Sequence, residues 1–347
     1  MATVAISLVA LLALPVAVLA STTGSIAQTG GMTATLPMLG SSLTIEVTLD
    51  GTGNLSQVNL DPVGTYSATK LSAHAVTFDS ADGTTQVKIK AGGDKLAIKA
   101  SAGSLDALVG PGTWSADVFG TGAKSTVAYT VGKAADGSPT LTLGAVNAAS
   151  GITAVSGTPK TGSDKKAAGA SVKVVFSHDG YTKTLSIRVS ADAKGDRHAS
   201  LQLTLSGKDR QKMSGALADL VGSHTWSGKA CDGTAVGISY DVLANGTVAY
   251  GSATGGTATV KSLGHGFSAR FDSLKLKVQV SLTQAKDGTY SLRTSANRGG
   301  CLHQGVPLPK VNAPVKPGAD QPSDHKGTGP GASSDHKGGG SHHSRKH

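Results

Sequence analysis

Short runs in which apolar and polar residues alternate recur along most of the chain. Examples are Val87-Lys88-Ile89-Lys90, Thr184-Leu185-Ser186-Ile187-Arg188-Val189 and Leu274-Lys275-Leu276-Lys277-Val278-Gln279-Val280. A period of two in stretches rich in valine, isoleucine, threonine and leucine predicts antiparallel strands with one face buried and the other in water. Asp-Gly and Asn-Gly pairs separate many of these runs, and they are the strongest short hairpin signal. Between residues 28 and 309 there is no long helical periodicity. The exceptions are Leu105 to Val109 and Gly215 to Val221, enough for one or two turns, with Ser104 and Ser214 as candidate N-caps.

Those two helical stretches belong to a repeat. Leu105-Asp106-Ala107-Leu108-Val109-Gly110, followed by Thr113-Trp114-Ser115, returns as Leu217-Ala218-Asp219-Leu220-Val221-Gly222, followed by Thr225-Trp226-Ser227. The second copy lies 112 residues after the first and holds the other of the two tryptophans. The repeat extends outward. Thr44 to Gly51 corresponds to Val127 to Val131 with Asp136-Gly137, and again to Ile238 to Val242 with Asn245-Gly246. The strands around Phe78, Phe176 and Phe271 match in the same way. The expectation is an all-β, antiparallel fold of three tandem β units, 28–113, 114–225 and 226–309, with short helical turns at the junctions. Sandwiches or one extended meander would bury the apolar faces. The tryptophans are read as packing wedges, and the polar insertion Ser156 to Gly169 as a surface loop.

The two ends differ from this core. Val4 to Ala20 is apolar apart from Ser7 and Pro15, and small residues follow it, so 1–27 reads as a cleaved signal peptide. Val18 and Ala20, or Ser25 and Ala27, suit the processing site, although no Lys or Arg precedes the run. From Lys310 onward Pro, Gly, Ser, Asp, Lys and His dominate, with no apolar residue larger than Val. Such a stretch buries too little surface to offset its ordering entropy, so 310–347 is expected to be a disordered tail. Cys231 and Cys301 are the only cysteines. In an exported protein they read as one disulfide, which would stabilise the fold by roughly 4 kcal/mol through loop closure. Two free thiols, or a reactive Cys301 beside His303, are the competing readings.

Charge adds a candidate surface. The net charge is +10, Glu46 is the sole glutamate, and the first cation is Lys70, so the excess falls on the middle of the chain. Lys88 and Lys90, Lys183 and Arg188, and Lys275 and Lys277 occupy polar positions of matching strands. They form a candidate ligand-binding stripe for phosphate- or uronate-bearing polymer. Aromatic residues are 4% of the chain, too few for stacking platforms, which argues against sequence-specific nucleic-acid recognition. In the tail, His325, His336, His342, His343 and His347 form a candidate site for weak transition-metal binding. No other cofactor is implied.

Catalytic signatures are absent from the sequence: no G-x-S-x-G, no H-E-x-x-H, no P-loop. Five aspartates sit beside glycine in hairpin turns, Asp82, Asp136, Asp179, Asp232 and Asp287, where turn geometry accounts for them. Asp50 to Asn54 shows part of a calcium-loop spacing, but Leu55 stands where that loop needs glycine. Asp219 with His224 and a serine is the one catalytic combination left open. The resulting expectation is a secreted or cell-surface, non-enzymatic β-repeat protein, without a membrane span after processing, that associates with anionic envelope polymer or polysaccharide. The alternative is an extracellular hydrolase or a small-ligand or lipid carrier with its site between units. A chain ending at Pro309 is expected to lose micromolar binding of Zn²⁺ or Ni²⁺; equal calorimetric binding without the tail refutes the metal reading.

Overall fold

The computed structural model describes residues 30–92, 95–164, 167–192, 199–230, 232–298 and 307–319. The segment 1–27 expected to be a signal peptide, Cys231, Cys301 and the five tail histidines lie outside the described residues. What is described is nearly all strand, and alternation accounts for it. In β2, Leu43, Ile45, Val47 and Leu49 are buried while Ser42, Thr44, Glu46 and Thr48 face outward.

Each unit lays down three strands in one layer and then crosses to a second layer for a longer meander. The first unit comprises β1 (Met32–Met38), β2 (Ser41–Leu49) and β3 (Leu55–Asp61), then β4 (Tyr66–Ser72), β5 (Ala75–Ser80), β6 (Thr85–Gly92) and β7 (Lys95–Ala102). A 3-10 turn at Leu105–Leu108 leads to β8 (Gly110–Ala116), β9 (Ser125–Lys133) and β10 (Pro139–Asn147). The second layer of that unit holds β11 (Thr153–Ser156), β12 (Lys160–Asp164), β13 (Ala167–His178), β14 (Tyr181–Asp192) and β15 (Ala199–Gly215). A single helical turn, α1 (Leu217–Leu220), opens the third unit, β16 (Gly222–Lys229), β17 (Ala235–Val242) and β18 (Val248–Thr254). Its second layer is β19 (Thr259–Leu263), β20 (Gly266–Phe271), β21 (Leu276–Gln284) and β22 (Tyr290–Arg298). Counted by strands, units begin at Gly110 and Gly222, a few residues upstream of the boundaries expected from the tryptophans.

The units do not each close a core of their own. β1 pairs with β8 in one layer and β7 with β15 in the other, all antiparallel, so the first two units join edge to edge into one sandwich. Its core gathers Phe78, Trp114, Phe119, Tyr129 and Phe176, with Trp114 stacked on Phe176 at 5.6 Å. The third unit closes a separate core around Trp226, Tyr240, Phe267 and Phe271. One strand connects the two. β15 is 17 residues long; its Ala199–Ser206 pairs with β7 and its Arg210–Gly215 with β22, which makes one 13-stranded sheet common to both sandwiches.

Two expectations need correction. The insertion at 156–169 is not a loop, because Lys160–Asp164 forms β12 and pairs with Ala167–Ser171 of β13. The chain beyond Lys310 is not wholly disordered. β23 (Lys310–Val311) adds in parallel to β3, and Val315 bridges to Ala68 of β4. Asn312 both donates to and accepts from the backbone of Leu60, at 2.8 and 2.9 Å. Ala313 and Ala319 are buried against the first core. Large apolar side chains are unnecessary here, since the strap is held by the open backbone groups of two sheet edges. A tail deletion that spares this strap therefore ends after Ala319.

The hairpin turns form a family. At Asp82, Asp136, Asp232 and Asp287 the carboxylate accepts the backbone N–H of the Ser or Thr two residues on, and Asn245 does the same with Thr247. The intervening glycines, Gly83, Gly137, Gly233, Gly246 and Gly288, have φ of 71° to 86°, a region that side chains with a Cβ avoid. Hydrogen bonds from the following Ser or Thr hold the Asp136 and Asp287 carboxyls below the usual carboxylate range, and bonds from Ser80 and Thr84 do so for Asp82. A depressed native pKa stabilises the fold above the unfolded pKa and loses that contribution as pH falls through the native one. The urea midpoint is expected to hold from neutrality to about pH 5 and to drop below pH 4, less steeply in an Asp82→Asn, Asp136→Asn, Asp287→Asn variant. An identical acid profile in that variant refutes the assignment.

Candidate polyanion-binding face

One side of the 13-stranded sheet packs on the two cores. The other side has no layer over it among the described residues, and its composition is distinctive. Direct cross-strand partners point to the same side, so the register can be followed from strand to strand. Starting at β4, the partners run Lys70, Thr77, Lys88, Lys99, Gln202, Arg188, Ser171 and Lys160, crossing eight strands. Five of the eight are cations and none is acidic. At an interstrand spacing of about 4.8 Å the row is roughly 34 Å long. Lys88 and Lys99 stand directly opposite each other. Like charges so placed oppose folding.

The adjoining rows carry Lys90 and Lys173, and Lys95. The acidic groups of this face are outside the cationic row: Asp79 stands in the row directly beside it, two residues from Thr77, where it accepts from Gln86 at 2.7 Å and Thr69 at 2.9 Å, and Asp192 closes the end of β14.

Two hollows continue the cationic surface toward the third unit. The first, about 650 Å³, lies where β15 carries two extra residues between Gly207 and Gln211, opposite Lys183 and Tyr181, and is lined by Lys95, Arg210, Lys212, Thr182, Thr184 and Ser206. The second, about 670 Å³, is bordered by Lys261, Arg270, Lys275 and Lys277. Arg270 is partly neutralised by Asp272 at 2.5 Å. Gln202 and Gln211 of β15 face Arg188 and Tyr181 of β14, seven positions apart, so roughly 23 Å separates the long row from the end of this strand pair, beside Arg210.

Of the six residues read from the sequence as a stripe, Lys88, Lys90 and Arg188 fall in or beside the long row, and Lys275 and Lys277 border the second hollow. Lys275 is in the turn before β21 with φ 49° rather than on the strand. Lys183 requires correction. It is 0% exposed and points into the first core, where its ammonium donates to the Val118 carbonyl at 2.5 Å and lies 5.3 Å from the Phe119 ring centroid. Parity is the reason. Lys183 shares its face with Leu185, Ile187 and Val189, whereas Arg188, five residues away, is on the opposite one. Lys70, Lys99 and Lys160 escaped sequence reasoning because they join the row only through pairing register.

The other candidates resolve into structure. Asp219 accepts the Ala216 N–H and caps the α1 turn, while His224 bonds the Leu220 carbonyl at 2.8 Å and stacks on Tyr240, so the two do not converge on a serine. The junction turns lack the expected serine caps: Ser104 makes no capping bond, and Ser214 lies on β15 beside Ser291. Asp50 spends its oxygens on Thr52 and Asn54. Burial alone would raise its pKa, but these bonds outweigh burial and lower it, as a closed turn does. Among the described residues no group of three His, Cys, Asp or Glu is placed to hold a metal.

No protein-family model, no curated protein sequence and no solved structure matches the chain.

The buried lysine supplies the check on this map. Lys183→Ala is expected to lower unfolding stability by about 2–4 kcal/mol through the cavity and the lost bond, leaving polyanion binding unchanged. Weakened binding with unchanged stability would return Lys183 to the surface.

Proposed function

We propose that this is an exported, non-enzymatic protein that holds a linear anionic polymer, such as a phosphodiester or uronate chain, along the outer face of its long sheet. The observation that carries the reading is the row Lys70, Lys88, Lys99, Arg188 and Lys160, five cations across eight strands with no carboxylate among them. Cross-strand ladders on a solvated face ordinarily alternate charge, since opposite charges support pairing and like charges weaken it. A row of one sign creates a field that a polymer with periodic negative charge neutralises, releasing counterions as it binds.

The chemistry of the face agrees with a backbone-reading role. Lysine predominates, and lysine ammoniums are strongly hydrated point charges suited to diffuse attraction. Hydroxyls and amides from Thr184, Ser206, Ser171 and Gln202 lie among the cations and add donors without adding sequence readout. Export follows from the apolar run Val4 to Ala20 and the small residues after it, and an envelope or extracellular polyanion is then the partner at hand.

Binding of a fluorescent polyphosphate, followed by anisotropy across a salt series, tests the reading. The triple reversal Lys88→Glu, Lys99→Glu, Arg188→Glu is expected to weaken binding at least about tenfold and to flatten the log–log salt slope by about one unit or more per lost contact. Lys133→Glu serves as the control, since Lys133 already pairs with Asp106 at 2.9 Å on the opposite layer. Binding that persists at about 0.5 M salt, or that responds equally to the control, refutes the proposal.

A further inference from the structure

The duplicated junction segment stands in two different surroundings. In the first copy, β8 has partners on both edges: β9 on one, and on the other β1, whose Thr35, Ala34, Thr33 and Met32 pair with Thr113 to Ala116. The turn before it is held as well, because the Leu39 N–H donates to the Ala107 carbonyl at 2.8 Å. Tyr129 lies across Gly112, where an added Cβ would come within 2.4 Å of the ring, and its hydroxyl reaches the Thr35 carbonyl of β1 at 3.3 Å.

In the second copy β16 pairs with β17 along one edge. Among the described residues no strand pairs with Gly222–Trp226 along the other. The tyrosine responds to the missing neighbour: Tyr240 turns to the Thr294 hydroxyl at 2.9 Å, and His224 stands where the first copy has Gly112. The facing layer stops at the same place. Gln211 pairs with Tyr181 on one side and Thr294 on the other, and the Lys212 N–H still donates to the Gly180 carbonyl at 3.0 Å, after which β15 continues to Gly215 with β22 alone. Unit three is therefore what unit two would be without unit one.

We propose that a second copy of this chain supplies the missing half. The two β16 strands would pair antiparallel about a twofold axis near His224 and Thr225, giving a layer β18-β17-β16-β16-β17-β18. This is the six-strand plan that β10-β9-β8-β1-β2-β3 already realises within one chain. The chain thus carries its own precedent for the contact, made through the same Thr-Trp-Ser segment. Such an interface is isologous and closes at two subunits. Some other edges are guarded: the strap covers β3 and β4, and β19 carries Lys261. Gly222–Trp226 holds neither a proline nor a Lys, Arg, Asp or Glu to discourage pairing, a lack it shares with β18, and it alone of the two repeats a segment that is already paired within the chain. Val221, exposed at 42%, adds apolar surface beside the edge.

Sedimentation of the full chain over a micromolar-to-submillimolar range tests this, with amide hydrogen exchange at low and high concentration on the same samples. The expected result is a species of twice 34.5 kDa. It should dissociate in Ser223→Lys/Thr225→Lys, whose like charges meet at the axis, and persist in the edge control Val260→Lys. Exchange at Ser223 to Trp226 should slow at least about tenfold on association, consistent with newly paired backbone amides. A monomer throughout, a dimer that survives the double variant with unchanged melting, or unchanged exchange at these amides overturns the proposal. Should the double variant fail to fold, the exchange measurement on the unaltered chain decides alone. Polyanion binding is unaffected by this result, because the cationic row lies on another surface.

Discussion

A β-sheet has to end, and at each end a row of backbone donors and acceptors must find partners, water or protection. That requirement governs this chain more than any single side-chain contact. A unit of three strands facing four buries one face per layer but leaves open edges, which the first two units resolve by joining through β1–β8 and β7–β15. The strap at 310–319 covers the far side of the first sandwich, where β3 and β4 would otherwise be open. Its grip is backbone pairing and one asparagine that bonds the Leu60 peptide twice. A segment whose apolar side chains are no larger than valine can be ordered in this way, because each hydrogen bond spares two groups the cost of poor solvation at a crowded edge.

What could be read without coordinates follows the same logic. Strand type, hairpin turns and tandem copying rest on interactions within about ten residues, and the alternation around Ile45, Leu185 or Val278 together with the Asp-Gly-Thr turns carries that information locally. Lys183 was legible too, since its parity with Leu185 and Ile187 places it inside, and only the assumption that lysine stays in water hid it. The cationic row was not legible. Lys99 and Gln202 are neighbours because β7 meets β15 across a unit junction, and Lys70 enters after a bulge at Ala68. Register across sequence separations this large depends on how whole units dock. The sharing of one core by two units was hidden for the same reason.

The lysine inside and the lysines outside illustrate opposite ways of accommodating charge. Lys183 loses water entirely and is compensated by a carbonyl and an aromatic face, so its contribution is fixed by geometry and little affected by salt. Lys88 and Lys99 keep water and face each other, so their mutual repulsion is moderate, salt-dependent and removable by an anion. A fold under pressure for stability alone would place an acid at one of these positions. With a single glutamate in the chain and several aspartates committed to turns, acids are rare on this face, and the excess of positive charge is built into the composition as well as the placement.

β15 ties these themes together. Its length lets one strand serve two cores, with Ala199–Ser206 against β7 and Arg210–Gly215 against β22. β15 carries two extra residues opposite Lys183 and Tyr181, an even number that preserves the alternation, so Gln202, Ser206, Arg210 and Lys212 stay on the same side. The long row of the first sandwich and the hollows beside the third unit must then share one surface. A flexible linker in place of β15 would have left two small basic patches free to turn away from each other. The continuous strand instead makes the charge distribution rigid over a distance matched to a polymer, so the topology that solves the edge problem also sets the geometry of the face.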